Sequence, residues 1–121
     1  MAWSILDENT AWAPSLVSVN GSLTSLLRWA LPILGWTVEF GPTGNNAVFR
    51  GGAGNQLRLH VRHDSSISGN ASLAYVRGAH TATSATAVGS PFPTAAQVPN
   101  TSSSWCTGIE DNSTDPSRFI I

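Results

Sequence analysis

Between Ser22 and Val61 the spacing of apolar residues changes period once. Leu23, Leu26, Leu27, Ala30 and Leu31 recur at i, i+3, i+4, i+7 and i+8, a single stripe along one helix. Ser22 is a fitting N-cap for that helix, because its hydroxyl can accept from a free backbone N–H. Pro32 removes a donor and disfavours helix at Leu31, so the regular helix ends or kinks there, and Gly35 closes the segment. The period then drops to 2. Trp36, Val38 and Phe40 alternate with Thr37 and Glu39, which predicts a half-buried strand. GPTGNN is a turn, Ala47–Arg50 the returning strand, and GGAGN a second turn. LRLHVRH (Leu57–His63) alternates again, with Leu57, Leu59 and Val61 inward and Arg58, His60 and Arg62 outward, His60 facing solvent and His63 lying in a turn. ASLAYVRG (Ala71–Gly78) supplies a fourth strand.

Four strands joined by short connections predict an antiparallel meander with the helix over its apolar face, an α+β fold. Leu26, Leu27, Leu57, Leu59 and Val61 are its expected core. Residues 1–21 read as an extended arm and 22–78 as the helix and sheet. Residues 79–121, in the same domain, read as a long small-residue loop, ordered on assembly, and a final strand. The arm holds Trp3 and Trp12, which must bury their rings on the domain or on a neighbouring subunit. Residues 79–104 have too few large apolar groups for a core of their own, although PFPTAA could hold one helical turn anchored by Phe92. The last residues are RFII. Either they add a strand to the sheet, or the sequence stops inside a longer protein.

Composition sharpens this picture. The chain has 121 residues, enough for one core. Charged residues make up 11%, against about 25% in an ordinary soluble domain, so the surface is built largely from small and hydroxyl-bearing residues. Such a surface repels itself weakly and favours association. All six cations are arginine and the net charge is −1, so no general basic surface invites nucleic acid or an anionic membrane. The one cysteine, Cys106, cannot form an internal disulfide. No apolar run reaches the length of a membrane span, and no basic region precedes an apolar one at the N-terminus. These features predict synthesis in a reducing cytosol without a secretory signal, so the four Asn-x-Ser/Thr triplets carry no meaning for glycosylation.

Candidate chemistry is sparse. His60 and His63 are three apart, a spacing that could share a metal on a helix but points to opposite faces on a strand. Adding Asp64 or His80 needs contacts that the sequence does not give. No G-x-S-x-G elbow is present, and Cys106 has no Cys-x-x-Cys partner. GGAGN lacks the phosphate-loop pattern and sits between two strands. Neither a catalytic residue nor a cofactor or metal site is expected. Arg50, Arg58, Arg62 and Arg77 lie on or beside strands. Arg58 and Arg62 form a small cationic row, with Tyr75 near, suited to ion pairs across a subunit interface because the planar fork fits carboxylates and stacks on rings.

The order of elements resembles a known group. A "GSL..LL...L" helix (Gly21–Leu31) is followed by "GW...F......AVFR.G.GN...L.V" (Gly35–Val61), "A.VRG" (Ala74–Gly78) and "G...FPT..Q" (Gly89–Gln97). This is similar to small, uncharacterised virion structural proteins of tailed bacteriophages, in which the chain continues past a Trp-containing segment into further strands. Members often carry an acidic "VDD"-like stretch after the third strand, where this chain has VRHDSS. The resemblance implies a structural, non-enzymatic particle component made in the host cytoplasm. Its first expected position is a capsid-associated minor or decoration protein, with a tail or baseplate subunit as alternative. It also implies other virion proteins as partners and a homo-oligomer, without membrane or nucleic acid. Trp3, Trp12, Phe92 and Trp105 are the expected interface anchors, alongside Arg58 and Arg62. The competing expectation is a receptor- or glycan-binding module that presents an exposed Trp.

Overall fold

The computed structural model of the chain describes residues 5–7, 9–52, 54, 56–65, 73–94, 96–97, 105–108 and 121, with backbone alone for 105–108. One helix, α1 (Ser22–Ile33), packs on an antiparallel sheet. The strands are β1 (Thr37–Phe40), β2 (Asn46–Arg50), β3 (Arg58–Arg62), β4 (Leu73–Ala79) and β7 (Trp105–Gly108), in the spatial order β1-β2-β3-β4-β7. A separate hairpin pairs β5 (Thr81–Ser84) with β6 (Ala87–Gly89). The predicted α+β meander is thus present, and the helix lies across β1, β2 and β3.

The register sorts every strand residue to one of two faces. Phe49 stands beside Leu59, and Val61 stands between Ala47 and Val76. These side chains, with Val38 and Trp36, form the core under Leu23, Leu27 and Leu31. A second cluster joins Leu26 to Leu16 of the arm and Ala74 of β4, with Trp29 packed against it. Of the expected core residues, Leu26 and Val61 are fully buried, while Leu27, Leu57 and Leu59 are half-buried.

The helix runs through Pro32 by one residue and ends at Ile33. Its start departs from expectation. The N-cap is Gly21, in the left-handed conformation, and no side chain of the helix caps its own first turn. The Ser22 hydroxyl is committed to the arm: it accepts from Val17 N–H at 2.9 Å and donates to the Ser15 carbonyl at 3.1 Å. The cap comes from the sheet, where His63 Nδ1 accepts the Leu23 N–H at 3.1 Å. The His63 backbone adds two more links, donating to Asn45 and accepting from Gly21. At the other side of the helix, Arg28 donates to the carbonyls of Gly41 and Gly44, both at 2.7 Å. The helix is therefore pinned to the sheet by polar contacts at its start and middle as well as by apolar packing.

The arm is partly folded onto the domain. Leu6 and Leu16 are buried, and Leu6 exchanges two backbone hydrogen bonds with Ile121. The segment read as a loop ordered on assembly contains the β5–β6 hairpin. Its sequence TATSATAVG is rich in threonine and alanine, with one valine, and pairs through its backbone rather than through large side chains. Phe92 reaches back to β4, exchanging backbone bonds with Gly78. A Cβ on Gly78 would overlap the Phe92 ring, so glycine is what lets that ring close on the strand. The RFII strand expectation falls on residues 118–120, outside the described residues, as does Trp3.

Candidate functional site

The chemistry of this chain collects on the sheet face opposite the helix. Strand alternation puts Arg50, Arg58, Arg62 and Arg77 there, four of the six arginines, together with His60, Val48 and Tyr75. Two rows set the layout. Val48, His60 and Arg77 stand side by side across β2, β3 and β4, and Asn46, Arg62 and Tyr75 form the next row.

The β1 side of this face carries its own counter-ion. The register slips between Val38 and Phe40, and the intervening Glu39 turns its carboxylate onto the arginines. Arg58 grips it with two nitrogens, Nε to Oε1 at 3.2 Å and Nη2 to Oε2 at 3.1 Å. Arg50 Nη1 approaches the same Oε2 at 3.5 Å. Arg58 Nη1 also donates to the carbonyls of Gln56 and His80. Within the chain, Glu39 and two backbone carbonyls occupy the fork of Arg58, the residue expected at a subunit interface. Sequence reading set Glu39 on the polar side of its strand but did not pair it with Arg50 and Arg58, because alternation does not say which strands lie side by side.

The β4 side is built around a histidine. His60 was expected to face solvent; its relative exposure is 0%. The β5–β6 turn covers it, and His60 Nε2 lies 2.8 Å from the Ala85 carbonyl. Arg77 Nε donates to His60 Nδ1 at 3.1 Å. With Nδ1 accepting, Nε2 carries the proton and donates to Ala85, so the ring is neutral and its tautomer fixed. The pKa of His60 falls from 6.5 to about 4. Burial is the main cause; the bond to Ala85 opposes it, and the charges of Arg77 and Arg62 add to it. Burial also lowers the pKa values of Arg62 and Arg77, and the Arg77 charge lowers that of Arg62 further.

The other predicted residues do not converge on this site. Trp12 sits on the arm with 93% exposure and a φ of 69°, so the domain does not bury its ring. Phe92 lies over Gly78 and 5.5 Å from the His80 ring. Trp105 places its backbone in β7 opposite Val76. His63, expected in a turn, is a buried helix cap. The two histidines whose spacing invited a metal are thus engaged separately, and among the described residues no group of three metal-ligating side chains comes together. An open cleft of about 500 Å³ is lined by Leu34, Gly35, Trp36, Gly51 and Gly52 and holds no acid, base or nucleophile. Among the described residues no helix is long and apolar enough to cross a membrane.

Comparison with protein-family models, with curated proteins and with solved structures finds no match to this chain.

Proposed function

We propose that this chain is a non-enzymatic structural component of a tailed-phage particle, with a capsid-associated minor or decoration protein as first position and a tail or baseplate subunit as alternative. The phage assignment rests on the order of residue motifs described above. The assembly reading rests on Trp12. Leu6 and Leu16 pin the arm to the domain on either side, yet the indole between them projects outward. It does so from a left-handed backbone that a bulky residue adopts at a cost of about 1 kcal/mol or more. A tryptophan offers roughly 150–250 Å² for burial. A stable interface needs about 1,000 Å² or more, so Trp12 acts with its neighbours. Ile5 and Val19, also on the arm, are exposed as well.

The test is mass spectrometry of gradient-purified virions with heads and tails separated, on wild type and Trp12→Ala. Many copies in the head fraction, lost in the variant, support the decoration role; a few copies in the tail fraction support the alternative position. Absence from both fractions sinks the particle reading, and unchanged incorporation of Trp12→Ala sinks the anchor.

The same exposed indole favours a second reading, a glycan- or receptor-binding module, because a free ring can stack on a sugar. Added glycan should then change the fluorescence of the wild type and leave Trp12→Phe unaffected. Equal responses in both remove this reading.

A further inference from the structure

We propose that Asn20 is a site of spontaneous modification, at which water converts the side-chain amide to a carboxylate through a cyclic imide with Gly21, and that the contacts of Ser65 and His63 set its rate in the folded chain. The inference stands apart from the particle reading and uses neither Trp12 nor the arginines.

The sequence supplies the reactants. Asn20–Gly21 is the one Asn–Gly pair in the chain. Glycine has no Cβ to crowd its own nitrogen, and its backbone reaches conformations closed to other residues, so ring closure meets the least hindrance there. The Gly21 nitrogen attacks Asn20 Cγ. An N–Cγ bond forms, the Cγ–Nδ2 bond breaks, and Nδ2 leaves as ammonia with the proton that Gly21 gives up. Water then opens the five-membered ring. Opening at Cγ yields aspartate in a chain of normal length. Opening at the backbone carbonyl yields isoaspartate, in which the chain runs through Cβ and Cγ and is one carbon longer.

The structure supplies the restraint, because both reacting groups are engaged elsewhere. Gly21 N–H donates to the His63 carbonyl at 2.7 Å. The Asn20 amide is clamped by Ser65, just past β3: the Ser65 N–H donates to Oδ1 at 2.9 Å, and its hydroxyl accepts from Nδ2 at 3.0 Å. The two restraints differ in strength. Asn20 is exposed and its bonds to Ser65 lie at the surface, where water replaces them at little cost. Gly21 is buried where α1 meets β3, and the His63 that holds it is fully buried and also caps Leu23. Both must open before the ring can close, so each contact lowers the reactive population by its own factor.

The two products act differently on the fold. Aspartate keeps the backbone length and puts a negative charge just ahead of the helix start, where the helix dipole favours it. Isoaspartate moves Gly21 off the His63 carbonyl, and the bond from Leu23 to the His63 ring is lost with it.

The experiment incubates the full-length chain at mildly alkaline pH. Peptide mapping by mass spectrometry finds the gain of one mass unit, and isoaspartate-specific methylation tells the two products apart. In denaturant, Asn20 is expected to convert ahead of every other asparagine. In the folded chain it should still convert, more slowly. Ser65→Ala removes the hydroxyl and keeps the backbone donor. It should speed conversion about two- to fivefold, the scale of one neutral hydrogen bond, and Ser65→Thr should restore the wild-type rate. Asn20→Gln, whose imide would need a six-membered ring, should stay unmodified. Hydrogen exchange at the Leu23 N–H should quicken in the isolated isoaspartyl form and match wild type in the aspartyl form. Should Ser65→Ala fail to fold, small additions of denaturant to wild type decide the matter: a local opening leaves the rate flat, and a global one raises it. The proposal is overturned by a folded chain that stays unmodified at Asn20 while the denatured chain reacts, or by equal rates in the two. It is also overturned by a folded Ser65→Ala that converts no faster than wild type, or by a rate that climbs with the first additions of denaturant.

Discussion

Two arginine pairs share one sheet face and are kept apart from each other's fate by different devices. Arg50 and Arg58 are held by a carboxylate. Arg77 is held by the buried, neutral His60, and Arg62 stands in the next row beside Tyr75. The first pair shares Glu39, whose side chain is 15% exposed against 39% for Arg50 and 20% for Arg58. That arrangement gives both arginines a counter-ion within the chain, held closely by Arg58 and loosely by Arg50. In the second, the acceptor for Arg77 is an uncharged nitrogen, so geometry is fixed without cancelling charge. The contrast teaches that a cationic row read along a strand is not one functional unit. What each arginine does depends on the row opposite it, which the strand itself does not encode.

The largest effect that separates the pairs is acid. His60 has a folded pKa of about 4 and an ordinary value of 6.5. The unfolded chain binds a proton between those values and the folded chain does not. Stability is therefore full above about pH 6.5 and falls as pH drops towards 4, by on the order of 3 kcal/mol in all. Denaturant melts of wild type and His60→Gln across this window should differ in slope, with the variant flatter. Parallel curves would break the account of the β4 side.

Glu39→Gln strikes the other pair. It leaves two arginines without their shared acid and should cost about 1–3 kcal/mol at neutral pH, below the full penalty for a buried pair because Arg50 is partly in water. A melt showing no loss would mean that the triad is ornamental. Arg50→Gln is milder, about 0.5 kcal/mol, and the difference should vanish in high salt, since its contact is long and exposed. The smallest effect sharpens the comparison most. In Arg77→Met the His60 resonance should titrate at higher pH than in wild type, though still below the ordinary range, because one opposing charge is gone while burial persists. An unchanged titration would mean that Arg77 and His60 do not sense each other.

The helix, β1 and β3 were legible from a clean period, near 3.6 for Leu23–Leu31 and 2 for the two strands, while β2 and β4 were legible as short apolar runs between turn residues. Alternation also placed Arg58, His60 and Arg62 together on the face away from the helix. It could not tell whether that face was wet. The cover over His60 is TATSATAVG, a stretch whose small side chains give no periodic signal and whose hairpin is held by backbone. The helix cap was illegible for another reason. Ser22 fits the local rule, but His63, 40 residues away, arrives only once β3 is in place. Trp12 was a candidate anchor from the sequence, while Glu39 as counter-ion depended on a strand pairing that no pattern announces.

The meander carries a consequence for how the chain finds its fold. Strands β1 to β4 are neighbours in sequence and in space, so each pairing closes only a short loop. β7 joins β4 across the whole stretch from Ala79 to Trp105. Closing a longer loop costs more entropy, though only about 0.6 kcal/mol for each doubling of length. The β5–β6 hairpin and the Phe92 bridge to Gly78 lie within that stretch and, once formed, shorten the loop left for β7 to close. In kinetic terms the hairpin is a shortener of the search, and substitutions that loosen it should slow the docking of the last strand more than they weaken the finished sheet.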